Sequence, residues 1–123
     1  MSARVLIVDD EPNVVISLEY LMKREGLEVE VAQDGETALA VLQERPASLV
    51  LLDVMLPGMN GFEVCQQVRG RPELARTKIL MLTARGRDTE IARGMSVGAD
   101  AYVTKPFSTK DLVAQVKALL ATP

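Results

Sequence analysis

At 123 residues, 48% hydrophobic and 25% charged, the chain has the size and composition of one ordinary domain with a real hydrophobic core. A net charge of −3 and a pI of about 5.0 argue against nucleic-acid binding by the chain itself, which needs a basic face. No run approaches the ~20 apolar residues that span a bilayer, and a lone Cys65 in an apolar helical pattern excludes an internal disulfide and reads as a buried structural thiol.

Met1-Ser2-Ala3-Arg4 leads straight into an apolar run, so no signal peptide is expected, and residues 1–123 read as a single cytoplasmic domain. Arg4 to Val8 is near-continuously apolar, the pattern of a strand buried on both faces. Pro12 suits the first position of a helix whose apolar residues are Val14, Leu18, Leu21 and Met22, with Gly26 as the stop. Glu28 to Ala32 alternates polar and apolar and predicts a less buried edge strand. Asp34 is a candidate N-cap for a helix carrying Ala38, Leu39, Val41 and Leu42, closed near Pro46. A third strand, Leu49 to Leu52, ends on Asp53. After a loop with Pro57, Gly58, Asn60 and Gly61 comes a helix with Phe62, Val64, Cys65 and Val68, ending at Gly70. Lys78 to Leu82 predicts a fourth strand ending on Thr83, and Asp88 a cap for a helix through Ile91, Ala92 and Met95. Ala101 to Val103 predicts a short fifth strand. Ser108 and Asp111 open a capping-box-like start to a last helix with Leu112, Val113, Val116, Leu119 and Leu120. Strict alternation of strand and helix implies a parallel sheet between two helical layers, a doubly wound three-layer α/β sandwich.

In such a fold ligands bind beyond the carboxyl ends of the strands. Asp9, Asp10 and Glu11 follow the first strand, Asp53 the third, Thr83 the fourth and Lys105 the fifth. If the strand order is 2-1-3-4-5, the first and third strands are neighbours about 4.8 Å apart, and their carboxylates share one small volume. Two unit charges ~5 Å apart at an effective dielectric near 20 repel by about 3 kcal/mol, so the cluster calls for a hard divalent cation such as Mg²⁺. Singly, these residues have plainer readings: acids after a strand are commonly caps, Thr83 could cap a turn, and Lys105 could be a surface charge. The constellation on one sheet edge is the informative feature.

At these residues the sequence resembles the receiver domains of two-component response regulators, including the chemotaxis regulators. The resemblance covers essentially the whole chain, through LIVDDE (Leu6 to Glu11), LLDVMLPGMNG (Leu51 to Gly61), LTA (Leu82 to Ala84) and GADAYVTKPF (Gly98 to Phe107). It implies a flavodoxin-like five-stranded sheet of order 2-1-3-4-5, an order that comes from the family and not from the residues. It implies Asp53 as the phosphoacceptor, Mg²⁺ bound by Asp9, Asp10, Asp53 and the backbone carbonyl of Met55, and Thr83 and Lys105 on the phosphoryl oxygens. Tyr102 would be the aromatic switch that follows Thr83, and the Lys105–Pro106 bond would be cis. The implied partners are a histidine kinase or histidine phosphotransfer protein and a downstream effector, with no direct nucleic-acid or membrane contact. The surface made by the fourth helix, fifth strand and last helix would carry the signal.

The rival enzymatic reading is a haloacid-dehalogenase-type phosphatase with Asp9 as nucleophile. The chain is short for that class and the reading leaves Asp53 without a role. A flavin- or nucleotide-binding module would want a G-x-G-x-x-G or Walker pattern, and neither is present. A non-phosphorylated pseudo-receiver would not need every reactive residue. Receivers of winged-helix transcription factors often read GADDY, whereas here Ala101 replaces the second Asp and residues 112–117 contain no Arg, against a dimerising transcription factor. The chain is expected either to stand alone or to belong to a longer regulator. Met55 and Arg85, two positions after the acceptor and the threonine, are expected to flank the path of hydrolytic water and to make self-dephosphorylation slow.

Overall fold

The computed structural model describes residues 3–84 and 88–121. The strands are β1 (Arg4–Val8), β2 (Glu28–Ala32), β3 (Leu49–Asp53), β4 (Lys78–Ala84) and β5 (Ala101–Lys105). The helices are α1 (Pro12–Arg24), α2 (Gly35–Glu44), α3 (Gly61–Arg69), α4 (Asp88–Ser96) and α5 (Thr109–Ala121), with a single 3₁₀ turn at Pro72–Leu74. All strand pairs are parallel and the order is β2-β1-β3-β4-β5. None of the described helices is long and apolar enough to cross a membrane.

Alternation along each strand builds two cores. Leu6, Val8, Val50, Leu52, Ile79 and Met81 meet α2 and α3 through Leu42, Phe62, Val64 and Val68. Val5, Ile7, Leu49, Leu51, Leu80 and Leu82 meet α1 and α5 through Leu18, Met22, Leu112 and Val116. This is why β1 and β3 read as unbroken apolar runs, while β2 at the edge is only half-buried. Cys65 is buried, and that burial pushes its thiol up to about 11, as befits a core residue.

Most local signals act as expected. Pro12 opens α1, Gly26 follows it at φ +82°, and Asp34 caps α2 by accepting from Thr37 N at 2.7 Å, which lowers the Asp34 pKa. Helix α3 begins one residue earlier than expected, at Gly61. Asn60 and Glu63 form a full capping box there, with bonds of 3.0 and 3.2 Å. Asp88 lies within α4 and so is not its cap. At α5 only the Ser108 side accepts, from Asp111 N at 3.3 Å. Strands β4 and β5 each run two residues further than predicted, because Thr83 pairs with Thr104 and Ala84 with Lys105.

Arg69, at the end of α3, ties the α4–β5 connection to the sheet. Its guanidinium donates to Gly98 O at 2.8 Å, Thr77 O at 2.7 Å and Asp100 Oδ2 at 2.6 Å. The same Asp100 oxygen accepts from Ile79 N at 2.7 Å. Gly98 sits at φ +107°, and a Cβ there would lie 2.7 Å from Arg69 Cγ, so both backbone conformation and space demand glycine. Helix α4 buries only Gly94, against Met81 and Phe62, and places Arg93 4.5 Å from the Phe62 ring centroid.

Candidate functional site

The register puts Asp9 and Asp53 side by side. Val8 pairs with Leu52 across β1 and β3, so the residues that follow each stand level at the carboxyl edge of the sheet. Asp53 pairs with Leu82, one residue before Thr83, and Lys105 pairs with Ala84 on the next strand pair. Asp9, Asp53 and Thr83 are buried, at 0%, 4% and 2% exposure, whereas Asp10 faces solvent. Asp9, Asp10 and Asp53 each offer one carboxylate oxygen, all within 4.8 Å of one another. This hard-oxygen donor set could hold a divalent metal ion.

Lys105 is the counter-charge. Its Nζ lies 2.9 Å from Asp9 Oδ2, 3.2 Å from Glu11 Oε1 and 3.4 Å from Asp53 Oδ1. Burial works against the ammonium, but the Asp9 hydrogen bond, the charges of Asp53 and Asp9 and the Glu11 bond outweigh it and raise its pKa. Asp53 is pushed up to about 6, first by burial and then by the Asp9 charge, against the opposing pull of Lys105 and the Met55 N–H. That N–H donates to Asp53 Oδ1 at 3.2 Å, and Glu11 N donates to Asp9 Oδ1 at 2.9 Å, so both loops hold their carboxylates from the backbone.

Thr83 Oγ1 is buried with no hydrogen-bond partner among the described residues. Such a hydroxyl costs about 1–3 kcal/mol unless an acceptor reaches it. Tyr102 stands on β5 with 42% exposure, and Met55 in the β3–α3 connection is 68% exposed. The Lys105–Pro106 bond is cis, as the resemblance implies. Arg85 lies outside the described residues. The sequence pattern places Thr83 and Lys105 just past their strands; in the structure they lie within β4 and β5, where strand pairing fixes their backbones. In the sequence Glu11 reads only as a loop acid, yet its side chain accepts from Lys105. Its place in Asp9-Asp10-Glu11 was the one available signal, and a contact between residues 94 positions apart leaves no local pattern. Asp9 is a poor nucleophile for the phosphatase reading, because it is fully buried and both of its oxygens are engaged.

A family model for the response regulator receiver domain matches residues 5–117. The chain is 48% identical over 120 residues to the phosphate regulon transcriptional regulatory protein PhoB of Rhizobium meliloti (strain 1021). That match covers 98% of this chain but only 53% of PhoB, so the chain spans about half the length of that relative. Among solved structures, a Chloroflexus aurantiacus J-10-fl protein assigned as a response regulator superposes with a TM-score of 0.96 at 38% identity, covering 99% of this chain and 100% of the other. The BeF3-activated DrrB receiver domain gives 0.89 at 32%, covering 99% and 100%. A receiver is a phosphoacceptor signalling module and not a classical enzyme. With sheet order, acidic cluster and family match in agreement, this chain belongs to the response regulator receiver domain family.

Proposed function

We propose that Asp53 accepts a phosphoryl group from a phosphohistidine of a histidine kinase or histidine phosphotransfer protein. One Asp53 oxygen bonds to phosphorus as the P–N bond breaks, and the electron pair returns to the imidazole. The observation that carries this reading is the buried Asp53 carboxylate, set among two other carboxylates and 3.4 Å from the Lys105 ammonium. Asp9, Asp10, Asp53 and the Met55 carbonyl would hold Mg²⁺, which supplies charge neutralisation for the phosphoryl oxygens. Lys105 contributes positive charge from the other side, and the unpartnered Thr83 hydroxyl is a donor waiting for an oxygen.

The relay runs from Thr83 to Tyr102, whose exposed ring lies on the surface formed by α4, β5 and α5. A downstream effector reads that surface, and residues 1–123 act as one cytoplasmic receiver without touching nucleic acid or membrane themselves. Despite Ala101, the likeness to PhoB makes a transcriptional output the first effector to test.

The test is labelling with acetyl phosphate, followed by borohydride reduction and peptide mapping. One phosphoryl group on Asp53, gained with Mg²⁺ and lost in chelator, is the expected result; label on another residue, or labelling indifferent to Mg²⁺, overturns the assignment. A second expectation concerns lifetime. The exposed Met55 thioether cannot orient a water, so Met55→Asn should speed decay of the phosphorylated protein several-fold, about 1 kcal/mol in barrier. Equal decay of the two proteins after donor removal would take Met55 out of the water path.

A further inference from the structure

Glu11 occupies the N-cap of α1, yet its side chain makes no capping bond. Its carboxylate turns instead to Lys105, 3.2 Å away, while its own N–H is held by Asp9. Of the three carboxylates around Lys105, Asp9 and Asp53 belong to the acidic triad and are buried; Glu11 does not belong to it, and its side chain is 62% exposed. The ammonium at rest therefore leans on two oxygen-bearing groups that a divalent cation would need and one that it would not.

We propose that Glu11 is a positioning residue for Lys105: it shares the ammonium in the resting state and takes it over when a divalent cation occupies Asp9 and Asp53, which strengthens cation binding. This rests on reading Asp9, Asp10 and Asp53 as the cation site. An ammonium and a divalent cation repel when drawn to the same oxygens, so one of them must yield. Lys105 can yield without travelling, because the Glu11 oxygen is already within hydrogen-bond reach. Without that oxygen its two remaining anchors are Asp9 and Asp53, and it competes with the cation for both. The direct attraction of Glu11 for the cation is a lesser effect, since water and salt screen so exposed a charge.

The acting-through-lysine claim separates from simple attraction in a double-mutant cycle. MgCl₂ is titrated into wild type, Glu11→Gln, Lys105→Gln and the double variant, with affinity read from backbone amide NMR shifts. Glu11→Gln should weaken Mg²⁺ binding about three- to tenfold in the wild-type background, the scale of a lost charge-assisted contact near the surface. In the Lys105→Gln background the same change should cost less than about twofold. In chelator, without any metal, Glu11→Gln should also move the Lys105 Nζ resonance. An equal loss of affinity in both backgrounds, no loss in either, or an unmoved Nζ resonance overturns the proposal. A wild type with no saturable Mg²⁺ response removes the cation site itself and the proposal with it, an outcome distinct from the other three.

Discussion

Asp53→Asn is expected to abolish labelling by acetyl phosphate and, in the same protein, to raise stability in the absence of metal. The amide is nearly isosteric but cannot attack phosphorus. The stability gain follows from the environment that makes the acid unusual. Asp53 is pushed from its ordinary 3.8 up to about 6 in the fold, so the folded chain holds its proton where the unfolded chain has lost it. Stability therefore falls as pH rises from about 3.8 to about 6, the reverse of a salt-bridged carboxylate, and the cost is fully present above that window. A tenfold change in proton affinity is 1.36 kcal/mol, so the cost at pH 7.5 is on the order of 2–3 kcal/mol. Asparagine carries none of it. Urea unfolding in chelator should show the variant more stable by that amount at pH 7.5, with the two curves converging as pH approaches 4. Saturating Mg²⁺, which neutralises the cluster, should erase the difference. A variant no more stable than wild type at pH 7.5 would mean that Lys105 already offsets the buried charge.

Gly61→Ala is expected to produce the other large effect. Gly61 is the first residue of α3, and its N–H donates to Val54 O at 3.0 Å. A Cβ there would lie 2.4 Å from Asp53 O and 2.9 Å from Val54 Cα. Both contacts are with backbone, so no side-chain rotation relieves them, and either the helix or the end of β3 must move. Alanine would improve helix propensity slightly, but overpacking of this kind costs about 1–3 kcal/mol or more. Because the displaced atoms belong to the acceptor and its neighbour, the rate of Asp53 labelling should fall with stability. Gly70→Ala supplies the control. At the other end of α3, its Cβ would meet nothing closer than 3.5 Å, at φ −81°. If Gly61→Ala unfolds at the same urea concentration as Gly70→Ala, close packing of α3 on β3 does not constrain the site.

The pattern of apolar residues was enough to read β1, β2 and the start of α1 to the residue, because their signals are local: a buried run, an alternation, a proline. The acidic cluster was legible for a similar reason, since strand ends in a parallel sheet share one edge and each acid stands at the end of its strand or within two residues of it. The last two residues of β4 and β5 were not legible. Thr83 and Ala84 are strand residues through their pairing with Thr104 and Lys105, and nothing in either segment alone announces that. The Asn60–Glu63 box was in plain sight but hidden by a loop rich in glycine and proline. The Arg69 clamp and the Glu11–Lys105 pair join residues far apart in sequence, and periodicity carries no trace of them.

The sparse attachment of α4 has a mechanical meaning. Held at its carboxyl end by Arg69, Gly98 and Asp100 and burying a single glycine, it is a lever with its fulcrum next to β5. Swinging its far end uncovers the half-buried Glu90 and Ile91, whereas displacing α5 would uncover Leu112 and Val116, two fully buried side chains worth about 1.5–3 kcal/mol each. The helix that follows Thr83 in the chain thus buries less apolar surface than α5 does. A new contact at Thr83 of no more than one charge-assisted hydrogen bond is on the scale needed to redistribute its orientations.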